Sequence, residues 1–302
     1  MRDKIKMDGN KAIIMSCSTK YFPWLINLLG SIKANYPNHP KIYIYDLGLF
    51  YSFRKELEKI DNVEVLKMPH FCRFWKSCFT WKTYIFAHPI TELNFYLDAG
   101  CQVLRPLDNI FEIIDKDNYF IKDEGGRLRD ILPKEYKSLF ALDDSYDALN
   151  MFAAGIFGFK DILHINTILK ELYNLALIGL CLGFSPKEQW KNKGKNKNVF
   201  IRDCKMFRHD LTLLNIIFRK NIDNLKINDF KKYGSDISPN ECKDQLIWHF
   251  HLNNSQLKYL KVNYIHNKIS FIVCFNRLII YQMLFIKRLS LFLKKKIFQV
   301  IK

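Results

Sequence analysis

Asp98 closes the apolar run Asn94-Phe95-Tyr96-Leu97 and is followed by Ala99 and Gly100. In α/β proteins, a strand that carries a carboxylate at its C-terminal edge delivers it to the crevice where ligands bind. Small residues behind it let a metal ion or a phosphate approach the backbone. Mg²⁺ and Mn²⁺ take hard oxygen ligands, usually one or two protein carboxylates together with the phosphates of a ligand. A second ligand can come from Ile247-Trp248-His249-Phe250-His251, because His249 and His251 share one side of a strand. Taken alone, the aspartate also reads as a turn residue after a strand, and the histidines as a buried or interfacial pair.

The elements that must position these groups follow from hydrophobic periodicity. Ala12–Cys17, Ile42–Tyr45, Val63–Met68, Phe95–Asp98 and Tyr119–Lys122 are short, solid apolar runs, as strands buried on both faces should be. Between them, Pro23–Tyr36, Phe53–Ile60, Trp75–Ala87 and Leu107–Ile114 have helical spacing. Pro23 occupies a permitted first-turn position. The alternation predicts an α/β fold with a mainly parallel sheet and helices on both faces. Further on, Leu149–Phe159 reads as two strand-like stretches around Gly155. Ile162–Leu182 and Asp210–Phe218 read as helices, and Leu246–Leu252 as a strand. The polar, lysine-rich stretch Lys187–Lys205 reads as a mobile loop. No internal repeat or strong linker divides the chain, so residues 1–269 form one domain and residues 270–302 an appendage.

Composition narrows the class. The chain has 302 residues, is 49% hydrophobic and can bury a full core. Its net charge of +17 is concentrated: after Asp244 no acid occurs, while ten Lys and Arg follow from Lys258 to Lys302. At 100° per residue, Ser270–Lys302 gathers Arg277, Lys287, Arg288, Lys294, Lys295 and Lys302 on one arc, with Leu278, Phe285, Ile286, Leu289, Leu293 and Val300 opposite. That is the pattern of a basic amphipathic helix lying on an anionic membrane surface; a helix packed on its own domain or on a partner shares it. A nucleic-acid partner is not expected, because no recognition motif occurs and the apolar arc opposes it. The eight cysteines show no metal-type spacing and several lie in apolar runs, which suggests a reducing cytoplasm. No stretch of 18 uncharged apolar residues and no signal-peptide pattern is present.

The order of motifs from Ala12 to about Lys258 resembles the GT-A nucleotide-sugar glycosyltransferases, family 8 in particular. The opening strand and small polar loop match Ile14-Met15-Ser16-Cys17-Ser18-Thr19, and the basic residue on the helix before the metal strand matches Lys82 in Trp81-Lys82-Thr83-Tyr84. The metal strand matches Tyr96-Leu97-Asp98-Ala99-Gly100. The small-residue segment matches Asn150–Phe157 with Gly155, and the family's Asp-Gln-x-x-Leu-Asn helix matches Asp210-Leu211-Thr212-Leu213-Leu214-Asn215. The late histidine and the lysine after it match His249 and Lys258.

The resemblance implies a GT-A, Rossmann-like fold and transfer of a sugar from a nucleotide-diphosphate donor, with UDP-sugars favoured. It implies a divalent Mn²⁺ or Mg²⁺ held by Asp98 and His249 with the diphosphate. Ser16, Cys17, Ser18, Lys82, Gly155 and Lys258 would contact the donor. Asp210 and Asp123, the latter in Asp123-Glu124-Gly125-Gly126, would serve the reacting sugar, and His209 the acceptor. Metal, Lys82 and Lys258 would stabilise charge developing on the leaving diphosphate. The expected acceptor is a glycan or a lipid-linked glycan in cell-surface polysaccharide or lipopolysaccharide assembly, with the enzyme cytoplasmic and peripheral on the inner face of the membrane.

Departures from the family pattern are specific. Gly100 stands where a second aspartate is usual, Ala153 replaces an asparagine, Leu211 a glutamine and Leu252 a glycine. They keep open a second expectation, a catalytically degenerate GT-A domain acting as a membrane- or partner-binding module.

Overall fold

The computed structural model describes residues 9–193, 199–201 and 204–249. The readings of His251, Leu252, Lys258 and the tail Ser270–Lys302 lie outside them. The first half alternates strictly: β1 (Lys11–Cys17), α1 (Phe22–Asn35), β2 (Lys41–Asp46), α2 (Tyr51–Leu57), β3 (Val63–Lys67), α3 (Trp81–Ala87) and β4 (Leu93–Asp98). Then come β5 (Cys101–Val103), α4 (Asp108–Asp117), β6 (Tyr119–Arg127), α5 (Lys134–Phe140), β7 (Asn150–Lys160) and α6 (Leu163–Leu177). The last part holds α7 (Pro186–Asn192), β8 (Val199–Ile201), β9 (Cys204–Phe207), α8 (Asp210–Asn221), α9 (Phe230–Gly234) and β10 (Ile247–His249).

Six strands form one sheet in the order β3-β2-β1-β4-β7-β6. β3, β2, β1 and β4 are mutually parallel, and β7 runs antiparallel between β4 and β6. Side-chain alternation divides the core. Ala12, Ile14, Tyr43 and Tyr96 pack towards α3, α6 and α8, while Ile13, Met15, Ile44 and Leu97 pack towards α1, α2 and α4. The chain moves outward from β1 to β2 on one side, whereas β4 lies on the other. The C-terminal ends of β1 and β4 therefore flank the point where strand order reverses, the place where open α/β sheets bind ligands.

Several expectations need correction. β6 does not simply extend the parallel series, because β7 separates it from β4. The two stretches around Gly155 are one strand interrupted by a bulge. Between the pairs Ile121–Phe157 and Asp123–Phe152, β6 advances two residues and β7 advances five. The helix expected from Trp75 begins only at Trp81, because Cys78 (φ 52°) and Phe79 (φ 59°) are left-handed and no right-handed helix continues through them. The helix over Ile162–Leu182 stops at Leu177, ahead of Gly179 at φ 94°. The stretch expected as a loop contains α7 and the β8–β9 hairpin. Ser185 Oγ accepts from Glu188 N (3.2 Å) and Glu188 Oε2 accepts from Ser185 N (3.0 Å), a reciprocal cap that nucleates α7 despite its polar composition.

Two further contacts place the late elements. β10 pairs antiparallel with β5, aligning His249 with Cys101 directly behind the Asp98–Gly100 turn. Asn215, fully buried on α8, accepts from Phe152 N (3.0 Å) and donates to Phe152 O (2.9 Å), so its amide imitates a strand partner where β7 bulges. Asn215→Ala removes both bonds, and the expected loss is about 2–4 kcal/mol of stability. Urea unfolding with an unchanged m-value checks this; a loss below about 0.5 kcal/mol would show that α8 does not depend on the amide.

Candidate functional site

At the sheet's switch point lies an outer cleft of about 240 Å³ that Ser16, Ser18, Tyr21, Lys76 and Trp81 help to line. It adjoins an inner recess of about 90 Å³ faced by Lys82, Glu124, Gly155, Arg208 and Asp210. Phe79, Asp98 and His249 line both. Ser16 and Asp98 are register partners at the ends of β1 and β4, which is why two residues 82 positions apart share one wall.

Asp98 is oriented from two sides. Tyr96 OH donates to its Oδ1 (2.9 Å). Tyr96 OH and Ser16 Oγ are 2.8 Å apart, and Trp81 Nε1 donates to Ser16 Oγ (3.0 Å). An indole N–H only donates and a carboxylate only accepts, so the chain runs in one sense: Trp81 to Ser16, Ser16 to Tyr96, Tyr96 to Asp98. On the other side Lys82 Nζ donates to Asp98 Oδ2 (2.8 Å) and lies 3.6 Å from Asp210 Oδ2. Lys82 is almost wholly buried, between the rings of Phe79 (5.2 Å) and Tyr96 (5.4 Å). Burial alone would lower its pKa; Asp98 and then Asp210 more than reverse this and hold the ammonium above its ordinary value.

Asp210 is the first residue of α8 and is equally buried. Its Oδ2 has no hydrogen-bond partner among the described residues. Desolvation raises its carboxyl to about 6, with Lys82 pulling down and the Asp98 charge pushing up. The preceding His209 has φ 56° and ψ −114°, a strained conformation for a non-glycine residue, fixed by full burial and a 2.7 Å bond between its Nδ1 and the Cys181 carbonyl. Gly155 completes the recess: a Cβ there would overlap the Asp98 carboxylate.

The expected residues therefore divide. Ser16, Ser18, Lys82, Asp98, Gly155, Asp210 and His249 converge on the two chambers. Cys17 does not face them. The strand period turns its side chain into the opposite core layer with Ile13 and Met15, and burial pushes its thiol well up. Asp123 lines neither chamber; its oxygens accept from Gly125 N and Asn150 Nδ2, both at 2.7 Å. His209 is buried and lines neither chamber.

The neighbouring Glu124 reaches the recess instead, bonded to Lys122 (2.9 Å) and Arg208 (3.1 Å). Burial would raise Glu124, but Lys122 and Arg208 outweigh it and hold the carboxyl at about 2. The Glu124–Arg208 pairing was missed, although alternation along β6 turns Asp123 and Glu124 to opposite faces.

The donor set bears on a divalent ion. Asp98 accepts one bond at each oxygen, which leaves one acceptor position on each. Among the described residues, no group of three His, Cys, Asp or Glu is arranged to hold a metal ion. Asp98 and His249 line the same chambers but do not make a cage built wholly of protein ligands, so a Mg²⁺ or Mn²⁺ there would need further oxygens from a ligand and water.

No protein-family model matches the chain, and no curated protein sequence matches it. Solved structures do. The bifunctional glycosyltransferase WbbM, in its apo form, aligns over 82% of this chain and 47% of its own at 11% identity and a TM-score of 0.51. The galactosyltransferase LgtC in complex with donor and acceptor sugar analogues aligns over 79% of this chain and 86% of its own, at 13% identity and a TM-score of 0.43. The Streptococcus pneumoniae glycosyltransferase GlyE aligns over 89% and 64%, at 13% identity and a TM-score of 0.48. The likeness is one of fold: the described part of the chain has the GT-A, Rossmann-like architecture.

The raised Asp210 has a measurable consequence. Between its unfolded value of 3.8 and about 6, the folded protein keeps a proton that the unfolded chain releases. The contribution of Asp210 is thus full below pH ~4 and is lost as pH rises through ~6, amounting to ~3 kcal/mol. Asp210→Asn cannot release a proton there. The difference in unfolding free energy between wild type and Asp210→Asn is expected to shift in favour of the variant from pH 4 to pH 7; a pH-independent difference would show that Asp210 is ionised throughout.

Proposed function

We propose that this protein is a glycosyltransferase of the hexosyltransferase type, moving a sugar from a nucleotide-diphosphate donor, UDP-sugars favoured, to a glycan or lipid-linked acceptor. One observation carries the reading. The pair Lys82–Asp98, with Asp210 beside it, sits at the switch point of a GT-A fold, where Asp98 lines both the larger cleft and the smaller recess. In this arrangement the cleft takes the nucleotide and the recess takes the sugar.

The residues act in parallel on a bond that breaks with charge separation. The leaving diphosphate gains negative charge; Lys82 is a fixed cation nearby, already desolvated, so its field acts without solvent reorganisation. A Mg²⁺ or Mn²⁺ held by Asp98 and His249 would supply Lewis-acid stabilisation of that same charge when bound. Asp210 lines the recess and orients a sugar hydroxyl there. Glu124, kept ionised by Lys122 and Arg208, opposes the positive charge that develops on the sugar ring. Leu211 lines the recess where the family carries a glutamine, so any acceptor contact there is apolar.

The competing reading is a GT-A domain that binds without turnover, and Gly100 in place of a second carboxylate favours it. A thermal-shift and calorimetric screen of nucleotide-sugars with and without Mn²⁺ separates the two. A UDP-sugar with Mn²⁺ is expected to raise the melting temperature, Mn²⁺ alone is not, and Asp98→Asn should weaken metal-dependent binding at least ~10-fold. Release of free sugar or transfer product should vanish in Asp98→Ala. No binding of any nucleotide-sugar in either condition would sink the enzyme in favour of the module.

We also place the protein at the inner face of the cell membrane, in surface polysaccharide or lipopolysaccharide assembly, through the basic tail. Among the described residues no helix is long and apolar enough to cross a membrane. Removal of residues 270–302 is expected to weaken binding to anionic vesicles while nucleotide-sugar binding persists. Unchanged vesicle binding would refute a membrane role for the tail.

A further inference from the structure

The segment Phe184–Lys193 leaves two large aromatic side chains in water. Trp190 is 76% exposed and Phe184, just before the helix, 40% exposed, although both are residues that folding normally covers. Lys187, Trp190 and Lys191 stand at i, i+3 and i+4, on one face, and all three are exposed. Lys193 places its ammonium 5.5 Å from the Trp190 ring. Glu188 is the one acid in α7, and it is turned back into the Ser185 cap. The outward surface of this segment is therefore aromatic and cationic.

The opposite face of the same helix is tied to the segment that leads into Phe79. Asn192 is buried and donates to the Leu182 carbonyl (2.6 Å), while its own carbonyl accepts from Cys78 Sγ (3.2 Å). Cys78 precedes Phe79, the ring that lines both chambers. Phe184 extends the surface towards α5, where its ring lies 6.1 Å from Tyr136 and Leu139 is exposed one turn further on.

We infer that Phe184, Lys187, Trp190, Lys191 and Lys193 form a docking surface for an anionic phospholipid bilayer, on the folded domain itself and separate from the C-terminal tail. The chemistry matches that partner at each point. An indole settles at the headgroup level, where its ring is apolar and its N–H meets water. Three lysines around it match the negative potential of an anionic leaflet, which reaches only about a Debye length from the surface. Contact through this face would hold the folded domain against the bilayer, where a lipid-linked acceptor presents its glycan. The inference rests on the glycosyltransferase reading for its purpose, not for its occurrence.

The test uses the full chain with vesicles of phosphatidylcholine and phosphatidylglycerol, the latter at about 30%, carrying brominated acyl chains that quench nearby tryptophans. The wild type is expected to lose part of its emission on binding, and Trp190→Phe to lack that quenched component, even where the tail alone keeps the protein on the vesicle. Phe184→Ser/Trp190→Ser and Lys187→Glu/Lys191→Glu should each weaken partitioning about 10-fold, with unchanged melting temperature and unchanged nucleotide-sugar binding. Equal quenching in wild type and Trp190→Phe, together with unchanged partitioning of both double variants, would overturn the proposal. It would equally be overturned by a lipid-free dimer that Trp190→Ser dissolves, or by acceptor glycan shielding Trp190 from aqueous iodide while vesicles do not. Loss of nucleotide-sugar binding in the unmodified chain would count against the function above and leave the lipid result standing.

Discussion

A buried ammonium must find its charge within the protein, and Lys82 imposes that requirement on everything around it. Water is excluded by Phe79 on one side and Tyr96 on the other, so the two carboxylates Asp98 and Asp210 are what make the charge tolerable. They come from β4 and the start of α8, over a hundred residues apart in sequence. Holding all three in one place constrains several elements at once. α3 must begin after a left-handed pair, Cys78–Phe79, so that its second residue faces inward. β7 must bulge so that Gly155 lies against Asp98, and α8 must start from a strained His209. Strain at such positions persists only where surrounding packing determines it, and each of these segments is anchored by buried contacts.

Stability and chemistry pull in different directions here. Asp210 is desolvated, and among the described residues its Oδ2 has an ion-pair neighbour but no hydrogen bond, an arrangement that costs free energy. Glu124 is the opposite case, a buried carboxylate whose two cations keep it ionised far below the ordinary range. Two acids in one recess are thereby driven apart in pKa, one towards the neutral form and one firmly anionic. That separation is how a site assigns different proton states to like groups at a single pH.

Legibility in the sequence followed the range of the cause. Strand and helix order through β4 was readable because each element carries its own period; Asp98 was found because an apolar run leads directly to it, and Lys82 and Gly155 through the resemblance. What depended on pairing between distant strands was not. Nothing local in Leu149–Phe159 says that it runs antiparallel between β4 and β6, and nothing local makes Glu124, not Asp123, the residue that turns inward, until the register with Asn150 and Phe152 is known. Cys17 could have been set aside from alternation alone, since Ser16 and Ser18 take the opposite side of the backbone. The α7 cap was also readable, as Ser185-Pro186-Lys187-Glu188, but lysine-rich composition concealed it.

Gly100 bears on how this site can use a divalent ion. A cation bound at Asp98 would share that carboxylate with Lys82, whose ammonium is 2.8 Å away and repels it. A second carboxylate would offset the repulsion, and glycine supplies none. In the proposed reading, negative charge that enters with the ligand would make good the deficit, and a diphosphate would carry it. Metal and nucleotide should then bind with positive coupling, each raising the affinity for the other by the same factor, since linkage is reciprocal. In that reading Lys82 would favour the phosphate and disfavour the lone metal, so the buried ammonium that organises the site would also set that order of dependence.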